Sequence, residues 1–187
     1  MNIVSPMRSP EAAGLLRQMC RILLKPHFVM AELGCYHGVS TRVFSQHVKT
    51  IYAVDPWAQE YVNSEDWSAV KSVPDSLMSR VEAIFDAGVK DLPNVVKKKG
   101  RHEEVVLGFE DESLDLVYCD ALHSEVETLN AIDLWTPKVK PGGWVTGHDY
   151  FKKPFPGVVA AVQKRRSDEW RVFPGGNWVY RKPDVPA

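Results

Sequence analysis

The 187-residue sequence has few cysteines, no long apolar run and no excess of either charge. Its three cysteines, Cys20, Cys35 and Cys119, are not spaced like a zinc pair, and an odd number favours reduced thiols over a disulfide framework. No stretch has the length and apolarity of a transmembrane helix, and residues 1–10 lack the layout of a signal peptide. These absences predict a cytoplasmic protein that does not enter a membrane.

Charge and composition restrict the partners and the class of protein. A formal net charge of −1 disfavours a nucleic-acid partner, and the short basic runs at 97–101 and 164–166 are typical of solvated edges. Hydrophobic residues at 44% and charged residues at 25% are those of an ordinary globular protein. The length fits one domain over 1–187. We expect residues 1–26 to form an N-terminal helical cap and residues 57–75 a lid insertion.

Hydrophobic periodicity alternates between strand and helix along the chain. Strands are predicted at 28–33, 50–54, 94–99, 114–119, 144–146, 170–173 and 178–181, and helices at 11–24, 40–47, 76–89, 103–109, 125–135 and 156–165. This order predicts an α/β fold with a seven-stranded, mostly parallel sheet and helices on both faces. Pro-Gly-Gly-Asn at 174–177 predicts the turn of a closing antiparallel hairpin. We expect the first helix to cover one sheet edge, and Pro-Gly-Gly at 141–143 to be a turn before the fifth strand.

Residues 28–41, F-V-M-A-E-L-G-C-Y-H-G-V-S-T, combine a buried-strand pattern, a glycine-containing turn and a helix start. Glycine at positions 34 and 38 permits positive φ and close approach to a ligand. The spacing G-x-x-x-G differs from the G-x-G-x-x-G of dinucleotide-binding dehydrogenases. The loop therefore predicts a cofactor with one nucleoside and no diphosphate.

Three further motifs follow predicted strands. Asp55 comes after the second strand, D-A-x-H spans Asp120 to His123 after the fourth, and K-P-G-G-x-x-x-G-H-D-Y spans Lys140 to Tyr150 around the fifth. With E-L-G-x-x-x-G-x-S at Glu32 to Ser40, the sequence resembles the class I S-adenosylmethionine-dependent methyltransferases, which have a Rossmann-like fold. Within them it is most similar to a group of small-molecule O-methyltransferases, the methyltransferase 24-like proteins. The resemblance covers roughly residues 28–165.

The resemblance implies a set of residues that bind S-adenosyl-L-methionine. Gly34 and its neighbours would hold the methionine half, with Ser40 near its carboxylate. Asp55 would accept both ribose hydroxyls, or it is only a turn residue before Pro56. Residues after the third strand would contact the adenine edge, or they cap a helix. The implied cofactor residues are Glu32, Gly34, Cys35, Tyr36, Gly38, Ser40, Asp55, Pro56, Trp57, His102, Glu103 and Asp120.

The candidate catalytic residues are Asp120, His123, His148 and Asp149. Carboxylates on two neighbouring strands repel each other unless a proton, a base or a cation lies between them. Mg²⁺ held by Asp120, Asp149 and His148 is one solution, although His148 stands where the family usually has a second acid. Without a metal, His123 is the candidate general base, and its alternative role is to cap the next helix. His148 either orients Asp149 or touches the acceptor.

The sequence leaves several functional hypotheses open. The first is O-methylation of a small hydroxylated metabolite. Alternatives are a non-catalytic adenosylmethionine-binding module, a methyltransferase with a macromolecular acceptor, and an oxidoreductase, which the missing third glycine disfavours. Aromatic residues Trp57, Tyr61 and Trp67 form a lid over the acceptor or pack elsewhere, and a homodimer is left open.

Overall fold

We analysed a computed structural model, which describes residues 10–58 and 75–184. The helices are α1 (Pro10–Leu23), α2 (Val39–Phe44), α3 (Asp75–Val89), α4 (His102–Val105), α5 (Glu125–Trp135) and α6 (Pro156–Arg165). The strands are β1 (Val29–Leu33), β2 (Thr50–Asp55), β3 (Val95–Lys99), β4 (Leu114–Cys119), β5 (Val139–Gly147), β6 (Trp170–Phe173) and β7 (Asn177–Arg181). Short 3₁₀ turns follow α4 and α5.

The seven strands form one sheet in the order β3-β2-β1-β4-β5-β7-β6. Strands β1 to β5 are parallel, whereas β7 pairs antiparallel with β5 and with β6. Strands β2 and β3 lie on one side of β1, and β4 and the later strands lie on the other. Such a switch in strand order opens a crevice at the carboxyl ends of β1 and β4. This confirms the predicted Rossmann-like α/β fold with its antiparallel C-terminal hairpin.

Helices cover both faces of the sheet. On one face, α1 and α2 pack on apolar side chains of four strands, among them Met30, Ile51, Leu116 and Val179. On the other face, α5 and α6 pack on apolar residues of β4 and β5, and Trp135 of α5 is fully buried. The first helix therefore lies on a face of the central sheet, and the prediction that it covers an edge is wrong.

Strand β5 contains the Pro-Gly-Gly segment that was predicted to be a turn. Leu114 pairs with Val139 and Leu116 with Trp144, so five residues of β5 advance against two of β4. Gly142 absorbs this bulge with a φ of 73°. The prediction of a turn is wrong because the strand continues through the irregularity.

The edge strand β3 carries much of the basic run at 97–101. Lys97 and Lys99 both form ion pairs with Glu82 of α3 at 2.8 and 2.6 Å. Charged side chains on an edge strand oppose pairing with another sheet. The run therefore belongs to a solvated edge, as expected. No described helix is long and apolar enough to cross a membrane.

Candidate active site

The predicted site residues of β1 and β4 meet at the carboxyl end of the sheet. Gly34 follows β1 with a φ of 87°, and its N–H donates to Val54 O at 2.9 Å. A Cβ atom on Gly34 would lie 2.1 Å from the carbonyl oxygen of Asp120. Any larger residue would therefore push apart the ends of β1 and β4. Glycine is required here both for its backbone conformation and for its lack of a side chain.

Glu32 is fully buried beneath the glycine loop. The hydroxyl groups of Ser40 and Thr41, in the first turns of α2, both donate to its carboxylate. Burial raises the pKa of Glu32 to about 7, although the two hydroxyl donors oppose the rise. Glu32 thus anchors the start of α2 to β1. The contact of Ser40 with the carboxylate of a bound cofactor stays a prediction.

Asp55 joins the glycine loop to the end of β2. Its carboxylate accepts the N–H of Tyr36 at 2.9 Å and the N–H of Trp57 at 2.7 Å. Tyr36 and Trp57 both have left-handed backbones, with φ of 46° and 43°, and non-glycine residues in that region cluster at ligand sites. Asp55 therefore orders the turn through Pro56, and carboxylate lone pairs remain for a ribose hydroxyl.

Trp57 does not form a lid. Its side chain is buried and packs against Phe85 of α3 with ring centroids 4.7 Å apart. Lys97 Nζ lies 4.8 Å from the centre of its ring. The rest of the predicted lid, with Tyr61 and Trp67, lies outside the described residues apart from the start of α3.

His102 and Glu103 begin α4, directly after β3. The N-cap residue is Arg101, without a side-chain capping bond, so neither His102 nor Glu103 caps the helix. The imidazole of His102 is buried, and the carboxylate of Glu103 accepts from Arg101 Nη2 at 3.1 Å. Both lie at the strand end where a bound adenine edge was predicted, near Glu127 of α5.

The four predicted catalytic residues are brought together on the other side of Gly34. His123 Nε2 lies 2.8 Å from Asp149 Oδ2, and His148 Nδ1 lies 3.1 Å from Asp149 Oδ1. The same His148 nitrogen is 3.9 Å from Asp120 Oδ1. Each oxygen of Asp149 thus faces one imidazole. We call Asp120, His123, His148 and Asp149 together the carboxylate–imidazole cluster.

Burial and charge separate the pKa values of the two carboxyl groups in this cluster. Burial raises the pKa of Asp120 to about 7, with His148 opposing and Asp149 adding to the rise. Burial acts in the same sense on Asp149, but hydrogen bonds from His123 and His148 outweigh it and hold its pKa well below the usual range. For His148, burial is outweighed by the contacts with Asp149 and Asp120, which raise its pKa to about 9. At neutral pH an ionised Asp149 and a protonated His148 lie beside an Asp120 that can gain or lose a proton.

The surroundings of the cluster are apolar and aromatic. Phe155 stacks on His123 with ring centroids 4.3 Å apart and an interplanar angle of 28°. Trp178 Nε1 donates to His148 O at 3.0 Å. A Cβ atom on Gly157 of α6 would lie 2.6 Å from His123 O, so α6 rests directly on this loop. A pocket of about 280 Å³, including its open mouth, lies along Asp120, Leu122, His123, Thr128, His148, Val158 and Trp178.

Sequence reasoning missed some residues that shape the cluster. Ser124, not His123, caps α5, because its hydroxyl accepts the N–H of Glu127 at 3.2 Å. Ser-x-x-Glu at 124–127 is a capping pattern that could have identified it. Phe155 carries no comparable signal in the sequence. His37, in the turn before α2, is buried as well.

The cluster fits Mg²⁺ poorly. Ligand atoms of Asp120, His123 and Asp149 lie within 4.8 Å of one another, whereas His148, predicted as a ligand, is not part of that group. Mg²⁺ prefers oxygen ligands in an octahedral array, but this group offers one imidazole. Both oxygens of Asp149 already face imidazoles, at 2.8 Å from His123 and 3.1 Å from His148.

Comparison with known proteins gives a family and a fold. A family model described as a methyltransferase domain, type 24, matches residues 31–150, which include every motif of the site. No curated protein sequence matches the chain significantly.

Three solved structures show how far the fold is shared. An S-adenosylmethionine-dependent O-methyltransferase from Thermotoga maritima is similar with a TM-score of 0.68 and 12% identity, over 100% of this chain and 70% of that one. The N-methyltransferase NodS from Bradyrhizobium japonicum is similar with a TM-score of 0.59 and 15% identity, over 96% and 98%.

The YcgJ protein from Bacillus subtilis is similar with a TM-score of 0.54 and 20% identity, over 76% of this chain and 52% of that one. The chain thus spans about half the length of YcgJ. At these identities the structures establish the fold, while the family match covers well over half of the sequence. The chain belongs to the methyltransferase 24 family of S-adenosylmethionine-dependent methyltransferases.

Proposed function

We propose that the protein transfers the methyl group of S-adenosylmethionine to a hydroxyl group of a small acceptor. The observation that carries this proposal is the carboxylate–imidazole cluster at the ends of β4 and β5, adjacent to the glycine loop. Ligands of open α/β sheets bind in this crevice. A module that only bound the cofactor would need the glycine loop and Asp55 but not this cluster.

The cofactor spans the crevice from β4 to β3. Its methionine half lies against Gly34 and Gly38, with its carboxylate towards Ser40 at the start of α2. Its ribose hydroxyls bind Asp55, and its base lies towards His102 and Glu103. This orientation is supported by the left-handed turns at Tyr36 and Trp57, whose N–H groups both donate to the Asp55 carboxylate and fix its position. The methyl group then faces Asp120.

Methyl transfer from a sulfonium requires an acceptor oxygen in line with the breaking bond, and the hydroxyl must lose its proton. Asp120 is the proposed proton acceptor, since burial raises its pKa to about 7, close to neutral pH. The pair of His123 and Asp149 orients the acceptor and carries the proton onward. Protonated His148 keeps Asp149 ionised and stabilises the negative charge that develops on the oxygen.

A hydroxyl acceptor is favoured over an amine by this chemistry. A neutral amine attacks without prior loss of a proton, whereas a hydroxyl group is a poor nucleophile until a base is in place. The fold itself does not decide, because both O- and N-methyltransferases share it. The ring of Phe155, stacked on His123, supports an acceptor with an apolar or aromatic part.

Measurements of cofactor binding and of methyl transfer on the same set of proteins test the proposal. Calorimetry with S-adenosylhomocysteine should show binding, and methyl transfer to a panel of phenols, sugars and matching amines should favour hydroxyl groups. Asp120→Asn should bind the cofactor product and lose transfer. Preferential binding of a nicotinamide dinucleotide, or unchanged transfer by an Asp120→Asn/Asp149→Asn double variant, would overturn the proposal.

A further inference from the structure

Residues 151–155, which we call the rim segment, lie between β5 and α6 beside the carboxylate–imidazole cluster. Two aromatic rings of this segment contact the two imidazoles of the cluster. The ring of Phe151 lies edge-on to His148, with ring centroids 6.3 Å apart, and the ring of Phe155 stacks on His123 at 4.3 Å. The rim segment therefore runs from one imidazole to the other along the edge of the proposed acceptor site.

Contacts at both ends hold the rim segment in place. Before it, the N–H of Tyr150 donates to Gly176 O at 3.0 Å. A Cβ atom on Gly176 would lie 2.4 Å from the ring of Phe151, so this ring rests directly on the turn between β6 and β7. After it, a Cβ atom on Gly157 would lie 2.6 Å from His123 O. The segment is thus fixed between the closing hairpin and the loop before α5.

Lys152 and Lys153 form the middle of the rim segment, and both are exposed. Neither forms an ion pair with a carboxylate in the described part of the chain. Glu125, the first residue of the helix on which α6 rests, is paired with Lys164 instead. Two positive charges without a carboxylate partner among residues 10–58 and 75–184 therefore flank the acceptor site.

The start of α6 adds positive potential on the same side. The helix has 10 residues, and its N-cap residue, Phe155, provides no side-chain cap. The first N–H groups of a helix have no partner within it, and its dipole places partial positive charge there. Because Phe155 also stacks on His123, this end of α6 lies next to the acceptor site. The rim segment and the helix start thus both favour a negative group.

The carboxylates of the cluster determine where on the acceptor such a group lies. A negative group placed among Asp120 and Asp149 would be repelled by them. At the rim it lies away from the reacting hydroxyl, and the ammonium group of a lysine, carried on a flexible stem, can pair with it. The hydroxyl group and the negative group therefore belong to opposite ends of one acceptor.

We propose that the acceptor carries a carboxylate or phosphate group besides its hydroxyl group, and that Lys152 and Lys153 bind this anionic group. The inference rests on the proposed function, because it takes the carboxylate–imidazole cluster as the acceptor site. An aromatic ring between the two groups would pack on Phe151 or Phe155. Charge would then distinguish this acceptor from neutral phenols and sugars of similar size.

Binding of matched anionic and neutral probes tests this proposal. The anions are para-hydroxybenzoate and para-hydroxyphenyl phosphate, which separate the two kinds of anionic group, and the neutral probe is para-hydroxybenzamide. Each is titrated calorimetrically into the whole chain saturated with S-adenosylhomocysteine. At least one anion should bind about tenfold more tightly than the amide, the combined effect of two partly exposed ion pairs. The difference should shrink as NaCl is added, because salt screens exposed charges.

Variants assign the preference to the rim segment. Lys152→Gln/Lys153→Gln should abolish it, and Lys152→Glu/Lys153→Glu should reverse it. The matched control is Lys49→Gln/Lys90→Gln, which removes the same charge from two exposed lysines that precede β2 and β3, at the opposite end of the sheet. The control should keep the preference unchanged.

Four results of the binding series would overturn the proposal: equal binding of the three probes, binding of neither anion, a preference that survives Lys152→Gln/Lys153→Gln, or an equal loss of preference in the control. The same probes then serve as acceptors in methyl transfer. Transfer that does not favour the anions would overturn this inference and leave the proposed function standing. Anion-selective binding without transfer to any hydroxyl acceptor would confirm the anion site and count against the proposed function.

Discussion

Gly34 and Asp120 are in backbone contact, so that the end of β1 has no room for a side chain next to the end of β4. A Cβ atom at Gly34 would come within 2.1 Å of the Asp120 carbonyl oxygen. The proposed position of the cofactor and that of the proposed proton acceptor therefore share one boundary.

Gly34→Ala should lose S-adenosylhomocysteine binding and lower the thermal midpoint of unfolding. The added methyl group collides with backbone atoms, and φ of 87° strains any residue with a side chain. Gly14→Ala is the matched control, because a Cβ on this glycine of α1 meets nothing within 4 Å. It should stabilise the fold by about 0.5–1 kcal/mol, the usual gain for a helix interior. Calorimetric binding with an unchanged affinity for Gly34→Ala would contradict the tight contact.

The pH profile of methyl transfer should be bell-shaped. Asp120 must be ionised to accept a proton, so the rate rises as the pH increases through about 7. His148 must stay protonated to hold Asp149, so the rate falls as the pH passes about 9. Initial rates between pH 5 and 10 measure both limbs, which belong to the coupled cluster as a whole. A flat profile below pH 8 would exclude Asp120 as the proton acceptor.

Asp149→Asn should lower kcat by about 10²- to 10⁴-fold, the contribution of a positioned acid or base. Asp149 has a left-handed backbone with φ of 60°, a conformation that asparagine also tolerates. The substitution therefore removes the charge between His123 and His148 without new backbone strain. Asp133→Asn, which removes an exposed partner of Arg165, is the control and should retain activity. Cofactor binding should stay within a few fold, as measured by calorimetry, and a proportional loss of binding would show a structural role instead.

Asp55→Asn should weaken S-adenosylhomocysteine binding about tenfold or more. An asparagine offers one oxygen where the N–H groups of Tyr36 and Trp57 now have two, so one buried donor is left unsatisfied, at a cost of about 1–3 kcal/mol. The ribose hydroxyls lose a charged acceptor as well. Calorimetry measures the affinity, and an unchanged dissociation constant would mean that Asp55 is only a turn residue.

The free energy of unfolding of the cofactor-free protein should contain a contribution from Glu32 that disappears with rising pH. The pKa of Glu32 is raised by burial from 4.5 to about 7, so the protonated side chain is favoured in the fold. Its contribution is complete below pH 4.5 and is lost as the pH rises through 7, by roughly 3 kcal/mol. Urea unfolding of the wild type and of Glu32→Gln at pH 5 and 8 measures the difference. The wild type should lose more stability between these values than the variant, and parallel curves would contradict the shift.

The sequence predicted regular elements well where one pattern dominates locally. Helix α5 has the predicted bounds of 125–135, and β6 has those of 170–173. The sequence failed at β5, because Pro-Gly-Gly at 141–143 has the local chemistry of a turn. Its path in the strand depends on distant partners: Val139 and Trp144 on either side pair with β4, and Gly142 and Gly143 form backbone hydrogen bonds with Lys182. The position of α1 was wrong for a similar reason, since an amphipathic pattern shows that a helix is buried but not on which part of the sheet.

The sequence predicted which strand ends form the candidate site. Neighbouring parallel strands bring Asp120 and Asp149 together whatever their side chains do. The contacts within the cluster were not predictable, because the direction of a side chain after a strand depends on the loop that follows. The left-handed backbone of Asp149 turns one carboxylate oxygen to His123 and the other to His148.

Gly157 sets a limit on how this enzyme can change its substrate. With no side chain there, the first turn of α6 lies on the backbone of His123, and the same junction carries Phe155, whose ring covers the His123 imidazole. Mutations that reshape this wall for a larger acceptor would also displace the imidazole of His123, for which we propose a role in the reaction. Selection for a new substrate in this segment should therefore trade acceptor range against turnover, and variants that keep both are expected to need compensating changes in the loop before α5.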